Sequence, residues 1–188
     1  MKSKGAAHCM QEPSITFHTV TMTEEHAAEI TSWSYPPPYN IYGWLPWEQM
    51  QMLGIEFGDP DIRKQQYVSV LDHQQRLWGF GQLFPMHEVT RLGLGMRPDW
   101  CGQGMGKAFV KAIVDEAIRR RPADEIDLEV LAWNERAIRA YEKSGFRMTD
   151  TYERLTPEGM ALFHCMVYTP APSAGATDSD AAGPDQTM

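Results

Sequence analysis

Residues Leu92 to Lys107 read L-G-L-G-M-R-P-D-W-C-G-Q-G-M-G-K, a short apolar strand followed by a turn with glycines at positions 102, 104 and 106. Glycine lets backbone N–H groups approach a ligand closely because it has no Cβ. The helix that follows aims its first N–H groups, and the positive end of its dipole, at the same point. The stretch therefore predicts a site for a phosphate or pyrophosphate group. A plain strand-to-helix turn is the alternative, but such a turn does not need three glycines.

Composition limits the class of protein. The chain has 188 residues, 43% of them hydrophobic, and six tryptophans, as expected of one packed globular domain. The formal net charge of −8 disfavours nucleic acid as a partner, since nucleic-acid binding needs a basic surface, and mildly favours a cationic amine. The sequence has no run of about 18 apolar residues, so no membrane partner is expected. Three widely spaced cysteines without a C-x-x-C pair predict a cytoplasmic protein.

The folded domain is expected to cover residues 14–169. Residues 1–13 lack the apolar core of a signal peptide and are expected to form a flexible N-terminus. Residues 170–188 carry three Asp, no Lys or Arg, and almost nothing to bury, which predicts a disordered acidic tail. His164 and Cys165 lie on the last strand without further ligand residues nearby, so no metal site is predicted.

Periodicity predicts the element order β-α-α-β-β-β-α-β-α-β-β. The helix after the glycine turn has a strong apolar stripe with a period of 3.6 residues. Another helix begins at Asn134 and ends at Gly145, a typical C-terminal glycine. Two strands joined through residues 72–75 form a predicted hairpin. This order predicts an α+β fold, an α/β sandwich with a mixed sheet.

Two segments resemble the two conserved motifs of the GNAT superfamily of acyl-CoA N-acyltransferases. The turn C-G-Q-G-M-G-K after the L-G-L-G-M strand resembles motif A, and N-E-R-A-I-R-A-Y-E-K-S-G-F resembles motif B. The resemblance extends over roughly Ser14 to Tyr168. It implies a mostly antiparallel mixed sheet with a V-shaped splay between two central parallel strands. It also implies acetyl-CoA as the acyl donor and a small-molecule or peptide amine as the acceptor, in a monomer or homodimer.

The resemblance also implies which residues bind coenzyme A. They are Leu94, Gly95, Met96, Cys101, Gly102, Gln103, Gly104, Met105, Gly106, Lys107, Asn134, Ala137 and Tyr141. Cys101 stands where the family usually has Arg or Gln, so the backbone N–H groups of the turn must carry more of the binding. We therefore expect a somewhat weaker affinity for the cofactor.

Gly93 and Gly95 interrupt a strand that otherwise has the composition of a core strand. One interpretation is close packing against a bulky residue such as Trp78. The resemblance suggests instead a bulge that splays this strand from the strand at residues 126–132. Backbone groups at Leu94 and Met96 would then be free, and the Met96 N–H would stabilise an oxyanion.

Two residues have predicted roles in proton transfer, and each also has a plainer interpretation. Tyr141 is either a core aromatic residue or, as the resemblance implies, a hydrogen-bond donor to the leaving thiolate. Glu88 is either a solvated strand end or the general base, since several family members carry a glutamate thirteen residues before the Arg/Gln position. A protonated lysine-like amine needs such a base, because losing its proton at neutral pH costs roughly 4.6 kcal/mol.

The segment from Trp33 to Trp44 combines three prolines with five large aromatic residues. It forms either a second core or the wall of the acceptor site. In the latter case Tyr35, Tyr39 and Tyr42 are expected to face the substrate, as is the predicted base Glu88.

Together these features predict an N-acetyltransferase that moves an acetyl group from acetyl-CoA to an amine by direct attack in a ternary complex. A non-catalytic acyl-CoA-binding or sensing domain is the alternative. A Rossmann or P-loop nucleotide site is disfavoured, since the turn lacks G-K-[S/T] and there are too few βαβ units.

Overall fold

The computed structural model describes residues 15–170, so the predictions for residues 1–13 and for the tail after residue 170 lie outside the described residues. Within this range the strands are β1 (Phe17–Thr21), β2 (Tyr67–Asp72), β3 (Leu77–Pro85), β4 (Val89–Met96), β5 (Glu125–Leu131), β6 (Phe146–Thr156) and β7 (Gly159–Tyr168). They form one sheet in the order β1-β2-β3-β4-β5-β7-β6.

The α-helices of the described chain are α1 (Glu24–Thr31), α2 (Trp47–Leu53), α3 (Pro60–Gln66), α4 (Gly106–Arg120) and α5 (Glu135–Lys143). Helix α3 is absent from the predicted order. Its seven residues are too few to show a period, although Asp59 caps it by accepting hydrogen bonds from the N–H groups of Asp61 and Ile62. The predicted start of α5 at Asn134 is confirmed. Asn134 and, at the start of α1, Thr23 are N-caps, since each side chain accepts a backbone N–H of the following turn.

All neighbouring strands are antiparallel except β4 and β5, which are parallel. β4 and β5 pair from Val89 and Glu125 as far as Leu92 and Leu128. β4 then continues to Met96 and β5 to Leu131, but the two strands no longer pair with each other. The predicted V-shaped splay between the central parallel strands is therefore confirmed, and the fold is the predicted α+β arrangement.

Two apolar clusters hold the helices on the sheet. Helix α4 packs its buried stripe, including Phe109 and Ile113, against residues of β2 to β5, and α5 packs beside it. A second cluster joins Ile30 of α1 and Met50 of α2 to Phe80 of β3 and its neighbours. Segments on both faces thus anchor the strands that lead to the splay, so the two parting strand ends are held in fixed positions.

The splay forms without the predicted bulge in β4. The β3–β4 register runs without a shift from Pro85 opposite Thr90 to Gly79 opposite Met96. Gly95 instead makes room for a neighbouring ring, because a Cβ there would lie 2.2 Å from Cε1 of Phe80. The close-packing interpretation is correct for Gly95, with Phe80 rather than Trp78 as the bulky neighbour.

Asp72 organises the β2–β3 hairpin from a fully buried position. Its carboxylate accepts hydrogen bonds from the backbone N–H groups of Gln74 and Arg76, from Arg76 Nε and from Trp78 Nε1, at 2.7–3.0 Å. Burial alone would raise the pKa of Asp72, but these hydrogen bonds outweigh it and hold the pKa well below its usual value. The hairpin therefore depends on an ionised carboxylate.

We expect Asp72→Ala to lower the free energy of unfolding by about 3 kcal/mol, because it leaves buried N–H groups without acceptors. The matched control is Asp115→Ala, which removes an exposed (i, i+4) pair with Lys111 and costs about 0.5 kcal/mol or less. Urea unfolding measures both. Because the pKa of Asp72 is lower in the folded protein, its ionised carboxylate stabilises the fold fully at a pH above its pKa in the unfolded chain, about 3.9. This stabilisation fades as the pH falls below that value. The gap between wild type and Asp72→Ala should therefore narrow from pH 6 to pH 3; a constant gap would contradict this role.

Candidate active site

A cleft of about 710 Å³ opens where β4 and β5 separate. The ends of these two strands, the glycine turn, α5 and the aromatic segment after α1 line it. Apart from Gln103 and Glu88, the predicted cofactor and acceptor residues thus come from four parts of the chain that the fold brings together.

The end of β4 turns an unpaired backbone edge toward this cleft. The Arg97 N–H donates to the Trp78 carbonyl at 2.8 Å. This hydrogen bond shows that the backbone groups of Arg97, and of every second residue before it in β4, are directed at β3. Because backbone groups alternate in direction along a strand, those of Leu94 and Met96 point the other way, where β5 has departed. The predicted role of Leu94 and Met96 as backbone partners of a ligand therefore has a geometric basis.

The three glycines of the turn have two different functions in the structure. Gly102 and Gly104 adopt φ values of +80° and +81°, which favour glycine, and a Cβ at either would point into open space. Gly106 instead allows close packing of α4 on α5, since a Cβ there would lie 3.1 Å from that of Ala140. Met105 occupies the N-cap position of α4, but no side-chain hydrogen bond caps the helix there. The first N–H groups of the helix therefore face the cleft and are available to an anion.

Cys101 is a half-buried, neutral thiol beside the turn. Its Sγ donates to the carbonyls of Arg97 at 3.4 Å and Met96 at 3.7 Å. Burial raises the pKa of the Cys101 thiol, and the nearby Arg136 only partly offsets this. A protonated thiol is a poor nucleophile, so this residue contributes shape and hydrogen bonds rather than covalent chemistry.

Asn134 and Tyr141 lie on the α5 side of the cleft. The Asn134 side chain accepts the Ala137 N–H at 3.2 Å and donates through Nδ2 to the Tyr42 hydroxyl at 3.0 Å. Tyr141 lines the cleft while its ring packs against Phe146. It is therefore part of the core and is also exposed to the site where a leaving thiolate would lie. Burial raises the pKa of Tyr141 above its usual value, which makes the hydroxyl a hydrogen-bond donor that stays protonated.

The aromatic segment after α1 bridges the two sides of the cleft. Tyr35 donates its hydroxyl to the Met96 carbonyl at 2.9 Å, and Tyr42 contacts Asn134 on the opposite side. Tyr39 packs on Trp133, with the guanidinium of Arg136 4.1 Å from its ring centroid. The three tyrosines predicted to face the substrate all line the cleft, and Trp44 also joins the second core.

The structure does not bring Glu88 to the cleft. It lies in the turn between β3 and β4, with φ of +57° and a side chain 85% exposed. That turn is at the start of β4, whereas the splay and the glycine turn are at its end. The prediction that Glu88 is the base and contacts the acceptor is therefore corrected: counting thirteen residues back leads to the far end of the strand.

Glu129 is the one carboxylate among the described residues that line the cleft. It is the first residue of β5 beyond the last pair with β4, so it lies at the apex of the splay. Arg91 contacts Oε1, and Arg154 donates to Oε2 at 2.6 Å. Burial would raise the pKa of Glu129, but the hydrogen bond from Tyr152 and the charges of the two arginines outweigh it and lower the pKa.

Sequence reasoning missed Glu129 because it is one of three acidic residues, Glu125, Asp127 and Glu129, that alternate with apolar residues along β5. Nothing in the sequence of the strand separates it from the other two. The cleft is also lined by three basic residues of α5 that were not predicted, Arg136, Arg139 and Lys143, in addition to the predicted Lys107. Their spacing of three and four residues along α5 places them on one helix face, where they can attract phosphate groups.

The remaining predicted residues differ in position. Gln103 is exposed, is not among the lining residues, and donates to the Asp99 carbonyl at 3.0 Å. The other predicted cofactor residues line the cleft: Leu94, Gly95, Met96, Cys101, Gly102, Gly104, Met105, Gly106, Lys107, Asn134, Ala137 and Tyr141. Within residues 15–170, no group of three or more His, Cys, Asp or Glu side chains is placed to hold a metal, and no helix is long and apolar enough to cross a membrane.

The model of the acetyltransferase (GNAT) family matches residues 22–146, more than half of the chain. The chain belongs to the GNAT family. This family is one of acetyltransferases, and the acyl donor of the family is an acyl-CoA. The open glycine turn, the uncapped start of α4 and the free edge of β4 suit the phosphates and amide groups of that donor.

The individual proteins to which this chain is similar include N-acetyltransferases. The chain is 36% identical over 61 residues to the [ribosomal protein bS18]-alanine N-acetyltransferase of Escherichia coli, a match that spans 32% of this chain and 40% of that enzyme. A crystal structure of the E. coli ribosomal-protein-S18-alanine N-acetyltransferase has a TM-score of 0.57 at 18% identity, covering 86% of this chain and 100% of that one.

A spermidine N-acetyltransferase from Vibrio cholerae, solved in complex with CoA and spermine, also shares the fold. Its TM-score is 0.61 at 14% identity, with 80% of this chain and 94% of that chain covered.

Gly104→Ala tests the turn. We expect it to raise the Kd for coenzyme A at least tenfold, because a Cβ at this position points into the ligand space and favours a different φ. Isothermal titration calorimetry measures the Kd. Gly54→Ala is the matched control, since Gly54 also has a positive φ, of +59°, and an open Cβ position, but lies at the end of α2 away from the cleft. Equal effects of the two variants on the Kd would contradict a specific role for the turn.

Proposed function

We propose that this enzyme transfers an acetyl group from acetyl-CoA to a primary amine by direct attack in a ternary complex. The observation that carries the proposal is the position of Glu129 at the apex of the splay, within the same cleft as the glycine turn. One end of the cleft thus suits phosphates, and the other offers a carboxylate that can accept a proton. An amine acceptor needs such a group, because it is mostly protonated at neutral pH.

The donor is held by groups of one strand, one turn and two helices. The backbone N–H groups from Gly102 to Lys107 take its pyrophosphate, and the β4 edge at Leu94 and Met96 takes the amides of its pantetheine arm. Lys107 and the basic residues of α5 add positive charge beside the phosphates. Cys101 adds no charge there, which supports an affinity that depends mainly on the backbone.

Bound acetyl-CoA supplies an activated thioester, so that a C–N bond forms at the acetyl carbon as the C–S bond breaks and the thiol departs. The enzyme's own residues handle the proton. Glu129, ionised and fixed by two arginines, accepts the proton that the amine must lose, directly or through water. Tyr141 stays protonated and donates a hydrogen bond to the departing sulfur. The Met96 N–H, on the cleft side of β4, suits the developing oxyanion.

The charge of the cleft favours an acceptor with a single positive charge. A polyamine would need several carboxylates, whereas Glu129 is the one carboxylate of the described cleft lining and two arginines already contact it. A carboxylate of low pKa is also a weak base, which suits an α-amine of pKa about 8 better than a lysine of pKa about 10.4. We therefore propose a peptide N-terminus or a small α-amine as the acceptor, a class that includes the substrate named for the E. coli relative.

Glu129→Gln should lower kcat/KM about 100-fold for the best acceptor, because the amide cannot accept the proton. The Kd for coenzyme A should stay within a factor of two. Glu125→Gln, an exposed position at the start of the same strand, is the matched control and should retain wild-type kinetics. The proposed role is wrong if Glu129→Gln keeps more than half of the wild-type kcat/KM.

A panel of amines, followed by release of free thiol from acetyl-CoA, tests the activity itself. We expect turnover with peptides that have a free N-terminus and little with spermidine. Because Glu129 has a lowered pKa and is already ionised at pH 6, a change of rate between pH 6 and 9 should report the ionisation of the acceptor and not that of Glu129. The midpoint should therefore follow the pKa of the acceptor. A blank panel with coenzyme A still bound would favour the acyl-CoA-sensing alternative.

A further inference from the structure

We propose that Gln82 and Glu129 together hold the acceptor nitrogen over the bare backbone of Gly93, which makes the site selective for primary over N-methylated amines. This inference rests on the proposed function, and it adds a binding position and a specificity residue. It follows from the register of the sheet and from the hydrogen bonds around the Gln82 amide.

Gln82, Gly93 and Glu129 form a row across three neighbouring strands. Gln82 of β3 pairs with Gly93 of β4, and Glu129 of β5 is next to Gly93 just beyond the last β4–β5 pair. Their side chains share one face, because Arg91, two residues before Gly93, contacts Glu129 on that face. All three residues of the row line the cleft. The middle position has no side chain, so two polar groups flank the bare backbone of Gly93.

Hydrogen bonds outside the cleft fix the direction of the Gln82 amide. Its Nε2 donates to Gln66 Oε1 at 3.3 Å and to Glu56 Oε2 at 3.4 Å. Both N–H groups are thus directed away from Gly93. The oxygen faces the other way, since a Cβ at Gly93 would lie 3.2 Å from Gln82 Oε1. Gln82 therefore presents a hydrogen-bond acceptor to the space over Gly93.

Glu56 is itself held in place by the buried Tyr67, whose hydroxyl makes a short hydrogen bond to the Glu56 Oε2. Glu56 also has a φ of +49°, a conformation that a residue with a side chain rarely adopts. Strain of this kind persists where the surroundings determine it and is concentrated at functional sites. The chain from Tyr67 through Glu56 to Gln82 positions one amide oxygen.

A primary amine matches the row because it has two N–H bonds and one lone pair. Gln82 Oε1 and Glu129 can each accept one N–H, which leaves the lone pair directed out of the row toward the donor side. An N-methylated amine has one N–H fewer and a methyl group in place of it. It must leave one of these acceptors without a partner, a loss that sites built for hydrogen bonding penalise strongly.

The experiment compares an alanine-initiated tripeptide amide with its N-methyl-alanine counterpart. We expect wild type to favour the primary amine by at least tenfold in kcat/KM. Gln82→Met should reduce this preference to about threefold or less, mainly by raising the KM for the primary amine. The Kd for coenzyme A should not change. An unaltered preference in Gln82→Met would overturn the proposal, because a merely structural residue would affect both substrates equally.

Three further variants separate the subsite from folding effects. Glu56→Gln lets the Gln82 amide turn and should also reduce the preference, although Glu56 is not among the residues that line the cleft. In Gly93→Ala the new Cβ would lie 3.2 Å from Oε1 and 3.3 Å from Cβ of Gln82, so the variant should displace the Gln82 amide and raise the KM for the primary amine at least tenfold, and urea unfolding shows whether it still folds. Gln51→Met is the matched control on the exposed face of α2 and should behave as wild type.

Binding gives a readout that does not depend on turnover. Titration of the same two peptides into the coenzyme A complex, followed by the side-chain amide signals of Gln82 in NMR spectra, should show shifts with the primary amine and weaker ones with the N-methyl peptide. Such shifts without thiol release would retain the subsite and reject the proposed acetyl transfer to peptides. Thiol release without an effect on the Gln82 signals would reject the subsite and retain the proposed acetyl transfer. If the primary amine neither binds nor causes thiol release, the subsite is rejected as well.

Discussion

β4 and β5 exchange backbone hydrogen bonds only as far as Leu92 and Leu128, and the geometry of the cleft follows from that limit. Beyond it, β4 remains paired with β3 and β5 with β7, so each strand stays rigid while the two part. The same limit leaves the backbone of Glu129 unpaired with β4. A strand end, a glycine turn and a carboxylate thus come together because one pair of strands stops pairing four residues before β4 ends.

The sequence predicted this fold well where the signal was local. The glycine turn, the stripe of α4 and the cap at Asn134 each reflect interactions within a few residues, and all three lie where they were expected. Helix α3 was missed because seven residues give too little periodicity. The bulge expected in β4 is absent, and contact with Phe80, fifteen residues away, explains Gly95.

The site was harder to predict because its chemistry depends on which strand ends meet. Glu88 directly precedes β4 and Glu129 lies on β5, and nothing within either strand tells which end the cleft occupies. The parallel register places the start of β4 beside the start of β5, so residues at the two starts lie far from the splay. Gln82 was equally invisible, since its role depends on Glu56 and Gln66 from outside the sheet.

The free edges at Leu94 and along the end of β5 are, in effect, two edge strands in the interior of a seven-stranded sheet. Exposed edges invite pairing with any extended chain, and proteins generally cover or shorten them. A pantetheine arm with its amide groups is such a chain, so in the proposed complex the donor completes the sheet in the way an added strand does. Under this proposal the donor is recognised partly as a piece of backbone, and its binding adds to the stability of the fold by mass action.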